Sequence, residues 1–279
     1  MTDVAVVSLH LYPVKSCRAV DVDRATVAAT GLAVAGARDR EWMVVDAQGR
    51  FVTQREQPRM ALVEPLVDDG TLSLRVPGFA PLALRECGEA RDVVVWRSSV
   101  RGYDAGDAAA AALSAFLGQD VRLVRFDDRA PRPCNPDYAG DSGATTLFAD
   151  GYPLLVIAQA SLDDLNARLA ARGFPVAPMN RFRPNVVVDG LEAFDEDHVD
   201  TLAFGEVVLK LVKPCTRCEV TTTDQASALR NLEPLRTLST YRRDDRLAGI
   251  TFGMNAIVAA GAGATLRVGA RGQAQFRFA

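Results

Sequence analysis

The chain has 279 residues, of which 48% are apolar and 24% charged, with 32 basic against 35 acidic residues for a net charge of −3. This is the composition of a globular protein, long enough for one large or two ordinary domains and a substantial core. The slightly acidic balance argues against a general binder of nucleic acid or of a membrane surface, both of which are polyanionic.

The opening segment, "MTDVAVVSLHLYPV", has no basic stretch and reads as a strand, so no signal peptide is expected. No apolar run approaches the roughly 20 residues that a membrane helix needs. Strands and hairpins dominate the N-terminal third. "EWMVVDAQGRFVTQ" has two alternating runs around Asp46–Gly49, with Gly49 suited to a left-handed turn position, and "ALVEPLVDDGTLSLRV" repeats the pattern around Asp69 and Gly70. "RDVVVWRSSV" is another strand. "DAGDAAAAALSAFLG" predicts a helix, rich in alanine, with aspartate near its start and Gly118 just past its end.

"VRLVRFDDRAPRPCNPDYAGDSGATT" begins as a strand and dissolves into a long loop, a kind of segment that tends to be functional or mobile. "YPLLVIAQASLDDLNARLAARG" is a strand running into a helix, with Ser161 and Asp164 placed as a capping pair and Gly173 as a C-terminal cap. "RPNVVVDG", "TLAFGEVVLKLVKP", "ITFGMNAIVAAG" and "ATLRVGA" are further strands, and "LEPLRTLSTYRR" predicts one more helix. Strands and helices do not alternate regularly, which argues against a doubly wound parallel sheet. The expected fold is mainly β with a few helices, of the α+β class, with mostly antiparallel sheet closed into two barrel-like units. A domain change near residues 118–125 divides the chain into 1–120 and 121–279.

Five cysteines, an odd number in a chain too large to need staples, point to a reducing, cytoplasmic setting. Only Lys15, Lys210 and Lys213 are lysines; every other basic residue is arginine, the codon bias of a GC-rich bacterial genome. Two cysteines sit three positions apart in "LVKPCTRCEV". Four readings of Cys215 and Cys218 are open. A zinc site needs four ligands, and the other candidates, Cys17, Cys87, Cys134, His10 and His198, are scattered without ligand spacing. A redox dithiol belongs at a helix N-terminus, whereas "EVTTTD" is β-branched and unsuited to opening a helix. A structural pair of small buried side chains is the third. The fourth is a single thiolate binding one metal whose other ligands come from a cofactor. Lys213 and Arg217 beside the pair supply the field that favours thiolate over thiol.

Five segments in order, "LYPVKSC", "RDREWMVVD", "NRFRPNVVV", "KPCTRCEVTTTD" and "FGMN", together resemble the MOSC superfamily. Within it they are most similar to the group of the amidoxime reducing component and its bacterial counterparts, which carry an N-terminal MOSC β-barrel domain followed by the MOSC domain proper. The resemblance implies a molybdenum cofactor, a pterin dithiolene with a terminal phosphate. It places the sulfur ligand of molybdenum at Cys218, the proposed catalytic residue, with Cys215 a neighbour. It carries cofactor contacts to Lys15, Ser16, Arg40, Arg183, Asn185 and Arg217. At "DGYP" this chain has Gly151 and Tyr152 where relatives have small hydroxyl residues, so a contact there would use backbone or the tyrosine. A phosphate calls for fork-shaped or multiple N–H donors, which arginine and lysine supply. Cys17 reads as a packed small residue.

The implied activity is a molybdenum-dependent oxidoreductase reducing small N-hydroxylated compounds: amidoximes, hydroxylamines and hydroxylated base analogues. With no cysteine cluster after residue 218, electrons are expected from a separate iron–sulfur, haem or flavin protein through a weak, transient contact. Asp224 is a candidate for proton delivery, and Tyr241 and Arg242 are placed toward the same cleft on helical grounds. Two alternatives stand beside this: a carrier module for sulfur or cofactor using Cys218 or Cys215, and a non-enzymatic binding protein with a structural CxxC. No nucleic-acid or membrane partner is expected.

Overall fold

A computed structural model describes residues 1–68, 70–84 and 88–277. Asp69 of the second expected turn and Cys87 lie outside the described residues.

The first strand, β1 (Thr2–Leu11), buries Val4 and Val6, then Leu9 and Leu11, the two-residue period of a half-buried strand shifted by one at an irregularity between Val6 and Ser8. Next in the chain among the strands that matter to the site is β2 (Trp42–Asp46), whose residues 42–45 are all buried. β3 (Ala90–Val95) and β4 (Ser98–Asp104) form a hairpin. The helix α1 (Asp107–Leu117) follows, with Asp107 in its first turn and Gly118 ending it in the left-handed conformation, as the sequence predicts. β5 (Val121–Phe126) pairs with both β4 and β2, so β3-β4-β5-β2 is an antiparallel half-barrel.

β6 (Leu154–Ala158) runs into α2 (Gln159–Ala171), and β7 (Val186–Asp189), β8 (Val199–Phe204), β9 (Val207–Arg217), β10 (Gly249–Ala260) and β11 (Arg271–Phe276) complete the set. Their order is β6-β7-β1-β11-β8-β9-β10, and β10 pairs back onto β6, closing a seven-stranded barrel. Closure leaves these strands without a free edge. Within the barrel, among the described residues, only the β6–β7 pair is parallel, and its crossover carries α2. β1, from the chain's start, is an integral barrel strand between β7 and β11. One apolar core joins residues from Val4 to Ala274. The fold is therefore mainly β with two barrel-like units, and β1 ties the N-terminus into the second of them.

Local details depart from the sequence reading in five places. "RDVVVWRSSV", read as one strand, is the β3–β4 hairpin, which turns at Trp96 and Arg97. The Asp46–Gly49 turn forms, with Gly49 at φ +74, but its second arm makes only isolated bridges at Arg50 and Phe51. α2 starts at Gln159, so Ser161 is not a cap. Its hydroxyl donates to Glu196 Oε2 (2.7 Å) and accepts from the Phe194 N–H (2.8 Å). Gly173 does follow the end of α2 at φ +77. The segment "LEPLRTLSTYRR" keeps only a single helical turn, Leu235–Leu238. Finally, "EVTT" folds as one 3-10 turn, Glu219–Thr222; β-branching resists a long helix but allows a single tight turn.

Two expected outcomes follow from packing. Gly253, inside β10, has φ +73, and an added Cβ would lie 2.6 Å from Ile157 Cγ1 and 2.9 Å from the Val156 carbonyl oxygen. Gly253→Ala should destabilise the protein by about 1–3 kcal/mol, seen as a lower urea midpoint at unchanged slope. Glu196 is fully buried and burial pushes its carboxyl up to about 7 from an ordinary 4.5, with Asp197 adding to the shift. The folded state then holds this proton more tightly than the unfolded chain. The stability it contributes is complete below the ordinary glutamate range and is lost as pH rises through about 7, at most about 3 kcal/mol. Urea titrations at pH 5 and 7.5 should show this loss in the parent and a flattened difference in Glu196→Gln.

Candidate functional site

One cavity of about 360 Å³ opens between the half-barrel and the barrel, and residues from both halves line it. Its walls carry six cations, Lys15, Arg40, Arg55, Arg183, Lys213 and Arg217, against one carboxylate, Asp150. All seven residues expected from the sequence, Lys15, Ser16, Arg40, Arg183, Asn185, Arg217 and Cys218, line it, together with Gly151, Tyr152 and Cys215. Eight non-glycine residues have positive φ among the described residues, and four of them, Ser16 (66°), Arg40 (47°), Trp96 (55°) and Arg183 (59°), are on these walls. Left-handed backbone at a side chain with a Cβ costs about 1–3 kcal/mol and collects where a site needs it.

At the cavity's inner side, the buried Tyr12 ring lies 4.2 Å from the Arg40 guanidinium and 4.4 Å from that of Arg183. Burial pushes the Tyr12 hydroxyl up to about 12 against the pull of both arginines, and no partner accepts or donates at its oxygen. Arg40 Nη1 donates to Asp39 Oδ2 (2.5 Å) and Asn185 Oδ1 (3.0 Å). Asn185 Nδ2 donates to Asp39 Oδ1 (2.9 Å) and the His10 carbonyl (3.1 Å), and Oδ1 also accepts from the Leu155 N–H (3.1 Å). Every donor of that amide is used, so Asn185 holds the frame of Arg40. Burial holds Asp39 above the usual carboxylate range even with Arg40, the Tyr12 N–H and Asn185 pulling the other way. Arg183 Nη1 donates to the Cys17 carbonyl (2.8 Å), while its buried Nη2 has no partner. Burial takes Arg183 down to about 10, which leaves it charged at neutral pH.

Lys15 enters from the segment after β1. Its buried ammonium donates to the Phe148 carbonyl (2.9 Å) and to Asp150 Oδ1 (2.5 Å), leaving one of its three protons for another acceptor. Burial lowers its pKa, opposed by Asp150. Asp150 is itself held well below the usual carboxylate range, because Lys15, Trp96 and Arg40 together outweigh its burial. Its side chain is still 72% exposed to the cavity, so solvent screens the pair. Arg132 fixes the loop that carries Asp150 by donating to the carbonyls of Leu147, Ala149 and Asp150.

The cysteine pair is placed by β9. Its pairing with β10 aligns Lys213 with Asn255, Pro214 with Met254 and Thr216 with Thr251, and the register slips between Pro214 and Thr216. Cys215 alone therefore faces two residues of β10, Phe252 and Gly253, which form a bulge on that strand, a device that re-aims side chains locally. Cys218 follows at the start of the 3-10 turn. Both are partly exposed free thiols on the cavity wall. Arg217 Nη1 donates to Cys215 Sγ (2.9 Å) and Nη2 to the Phe182 carbonyl (2.6 Å), and its buried Nε has no partner. No third histidine, cysteine or carboxylate joins the pair in a metal-binding group among the described residues.

Three expectations do not reach the cavity. Asp224 is a turn-former: Oδ1 accepts from the Ala226 and Ser227 N–H groups, and Oδ2 from Arg181. Tyr241 packs edge-on to Phe194 with its hydroxyl buried and unpartnered, and Arg242 is bound to Asp197. The helix that would have aimed them ends at Leu238. The sequence reading missed Asp39, Asp150, Arg55 and Trp96. For Trp96 a signal exists: a tryptophan between two strand runs, where glycine or asparagine belongs.

Residues 3–120 match the family model "MOSC N-terminal beta barrel domain", and residues 144–271 match "MOSC domain". The chain is 37% identical over 245 residues to "Mitochondrial amidoxime reducing component 2" of Bos taurus, covering 85% of this chain and 72% of that one. It is 36% identical to "Mitochondrial amidoxime-reducing component 1" of Homo sapiens over 86% and 72% of the two chains. With the same-named protein of Danio rerio it shares 36% identity over 88% and 77%. The fold and the site define a two-part β-barrel protein with a cation-lined cleft between its halves. The chain belongs to the MOSC family, in the group of the amidoxime reducing components.

Thiol chemistry should read the site directly. On the native protein, a dianionic disulfide reagent should modify Cys215 and Cys218 and spare buried Cys17 and Cys134, as mapped by peptide mass. Its rate should fall about tenfold between low and 0.5 M salt, because exposed cations attract an anion less when screened. Salt-independent labelling would mean the cavity's charge is not felt at the sulfurs.

Proposed function

We propose that the cavity binds a molybdenum cofactor and that the protein is an oxidoreductase reducing small N-hydroxylated compounds: amidoximes, hydroxylamines and N-hydroxylated base analogues. One observation carries this reading. Two partly exposed sulfurs stand on a wall where Arg183, Lys213 and Arg217 have no carboxylate partner among the described residues, and two buried guanidinium nitrogens there have no partner. A soft ligand for a metal and fork-shaped donors for an anion are what a thiolate-ligated, phosphate-bearing cofactor requires. The names of the relatives, which describe amidoxime reduction, support the same direction.

Bound in the cavity, the cofactor would supply the two-electron redox couple. Cys218 would be the protein's sulfur ligand to the metal. Lys15, Arg40, Arg183 and Arg217 would meet the cofactor's negative charge, Ser16 would offer its left-handed backbone and hydroxyl, and Asn185 would act by positioning Arg40. The net change breaks the N–O bond of R–N–OH, consumes two electrons and two protons, and releases water. The electrons would come from a separate iron–sulfur, haem or flavin protein. A cytoplasmic setting, no nucleic-acid or membrane partner, and a division into residues 1–120 and 121–279 belong to the same proposal. So does a bacterial origin.

The Arg217 contact to Cys215 favours one second reading, a carrier module with Cys215 holding sulfur and no reductase activity. Purified protein from a cofactor-producing host separates the two. Molybdenum near one per chain with turnover of benzamidoxime by an artificial donor is the expected result; cofactor without turnover would favour the carrier. Cys218→Ala should abolish turnover with circular dichroism unchanged, and parental rates in that variant would refute the ligand assignment. Arg183→Ala should lower molybdenum content about 10-fold, the usual scale for losing a supporting contact.

A further inference from the structure

Trp96 occupies the two-residue turn between β3 and β4 at φ +55. Glycine, asparagine or aspartate normally takes such a position, because a Cβ there is strained. A strained tryptophan is retained where its side chain serves something. Trp96 is 44% exposed, although large apolar side chains gain most from burial. It is nevertheless held in place. Its Nε1–H donates to Asp150 Oδ1 (3.0 Å), its ring lies 5.1 Å from that of Phe51, and the Arg55 guanidinium is 4.5 Å from its centroid. Asp150 is in turn bound by Lys15, one of the proposed cofactor contacts. The indole is thus a rigid, open aromatic face on the wall of the same cavity as the cysteines, supplied by the other half of the chain.

Resting on the reductase reading, we infer that Trp96, with Arg55 behind it, is a specificity-determining platform on which the flat aromatic ring of an aryl N-hydroxylated substrate stacks. Stacking of conjugated rings on an exposed aromatic, backed by a guanidinium, is favourable and tolerant of ring chemistry. A saturated alkyl substrate gains much less from such a face. The platform therefore selects aryl amidoximes and N-hydroxylated bases over aliphatic ones. A pterin ring could use the same face, and the exposure of Trp96 at the cavity wall favours the exchanging ligand over the resident one.

The test has a kinetic and a spectroscopic arm, both on cofactor-loaded protein. In Trp96→Leu the ratio of KM for benzamidoxime to KM for acetamidoxime should rise about tenfold, and Trp96→Phe should recover part of it. An unchanged ratio overturns the platform. For the second arm, the chain has only two tryptophans, and Trp42 is 4% exposed. Benzamidoxime should quench the solvent-exposed emission of the parent, and the quenching should vanish in Trp96→Leu. Absence of quenching in the parent overturns the inference even if turnover is observed. Quenching without turnover sustains it while the reductase reading falls. If loading the cofactor alone quenches Trp96 and benzamidoxime adds nothing, the indole belongs to the cofactor and the inference is wrong.

Discussion

The arrangement rests on two guanidinium groups, Arg40 and Arg183, packed against the ring of Tyr12 with one buried carboxylate, Asp39, beside them. Like charges brought together away from water are unfavourable unless something negative completes the site. Asp39 compensates Arg40 through a bond on its own neighbour, but Arg183 receives only a carbonyl. The protein thus folds with a deficit of negative charge facing the cavity. That deficit needs three chain segments at once: the turn after β1, the segment before β2 and the turn into β7. Asn185 makes this possible, because its amide bonds Asp39, Arg40, His10 and Leu155 together.

Why the backbone tolerates this is a matter of rigidity. Closing seven strands into a barrel and inserting β1 among strands from the C-terminal half leaves little freedom at the strand ends. Ser16, Arg40 and Arg183 lie in the connections just beyond those strands, and all three are left-handed. A loop held at both ends by sheet can keep a residue in an unfavourable conformation that a free loop would relax. The continuous core, running from Val4 to Ala274, supplies the stability against which that local cost is small.

Much of this was legible in the sequence, and what was not has identifiable causes. Period-two runs gave the strands, and Gly118, Gly49 and Gly173 marked turns because their left-handed positions exclude most side chains. Lys15, Arg40, Arg183, Arg217 and Cys218 came as a set through the family resemblance of short motifs that are distant in the chain, whereas Arg55 lies outside those motifs. Asp39 and Asp150 were invisible because a lone aspartate in a loop carries no signal until folding places it beside a cation. The helical placement of Tyr241 and Arg242 failed for a different reason. The helical turn in "LEPLRTLSTYRR" stops at Leu238, and the chain then leads into the short strand at Arg243, so Tyr241 packs against Phe194. Propensity alone sustains short helices poorly.

The bulge in β10 opposite Cys215 shows how the two kinds of information meet. Sequence alone gives a CxxC and leaves its role open among zinc, redox, packing and a cofactor ligand. The extra residue lies in β10, at Phe252 and Gly253 of the "FGMN" segment, opposite Cys215; both thiols line the cavity, and Gly253 lets β10 come close against β6. A disulfide framework would need the sulfurs bonded, and a packed pair would need them sealed; here both are free and partly exposed beside Arg217. The closed barrel that carries the turns after β1 and into β7 also carries β9 and β10, so the charge deficit and the thiols share one wall.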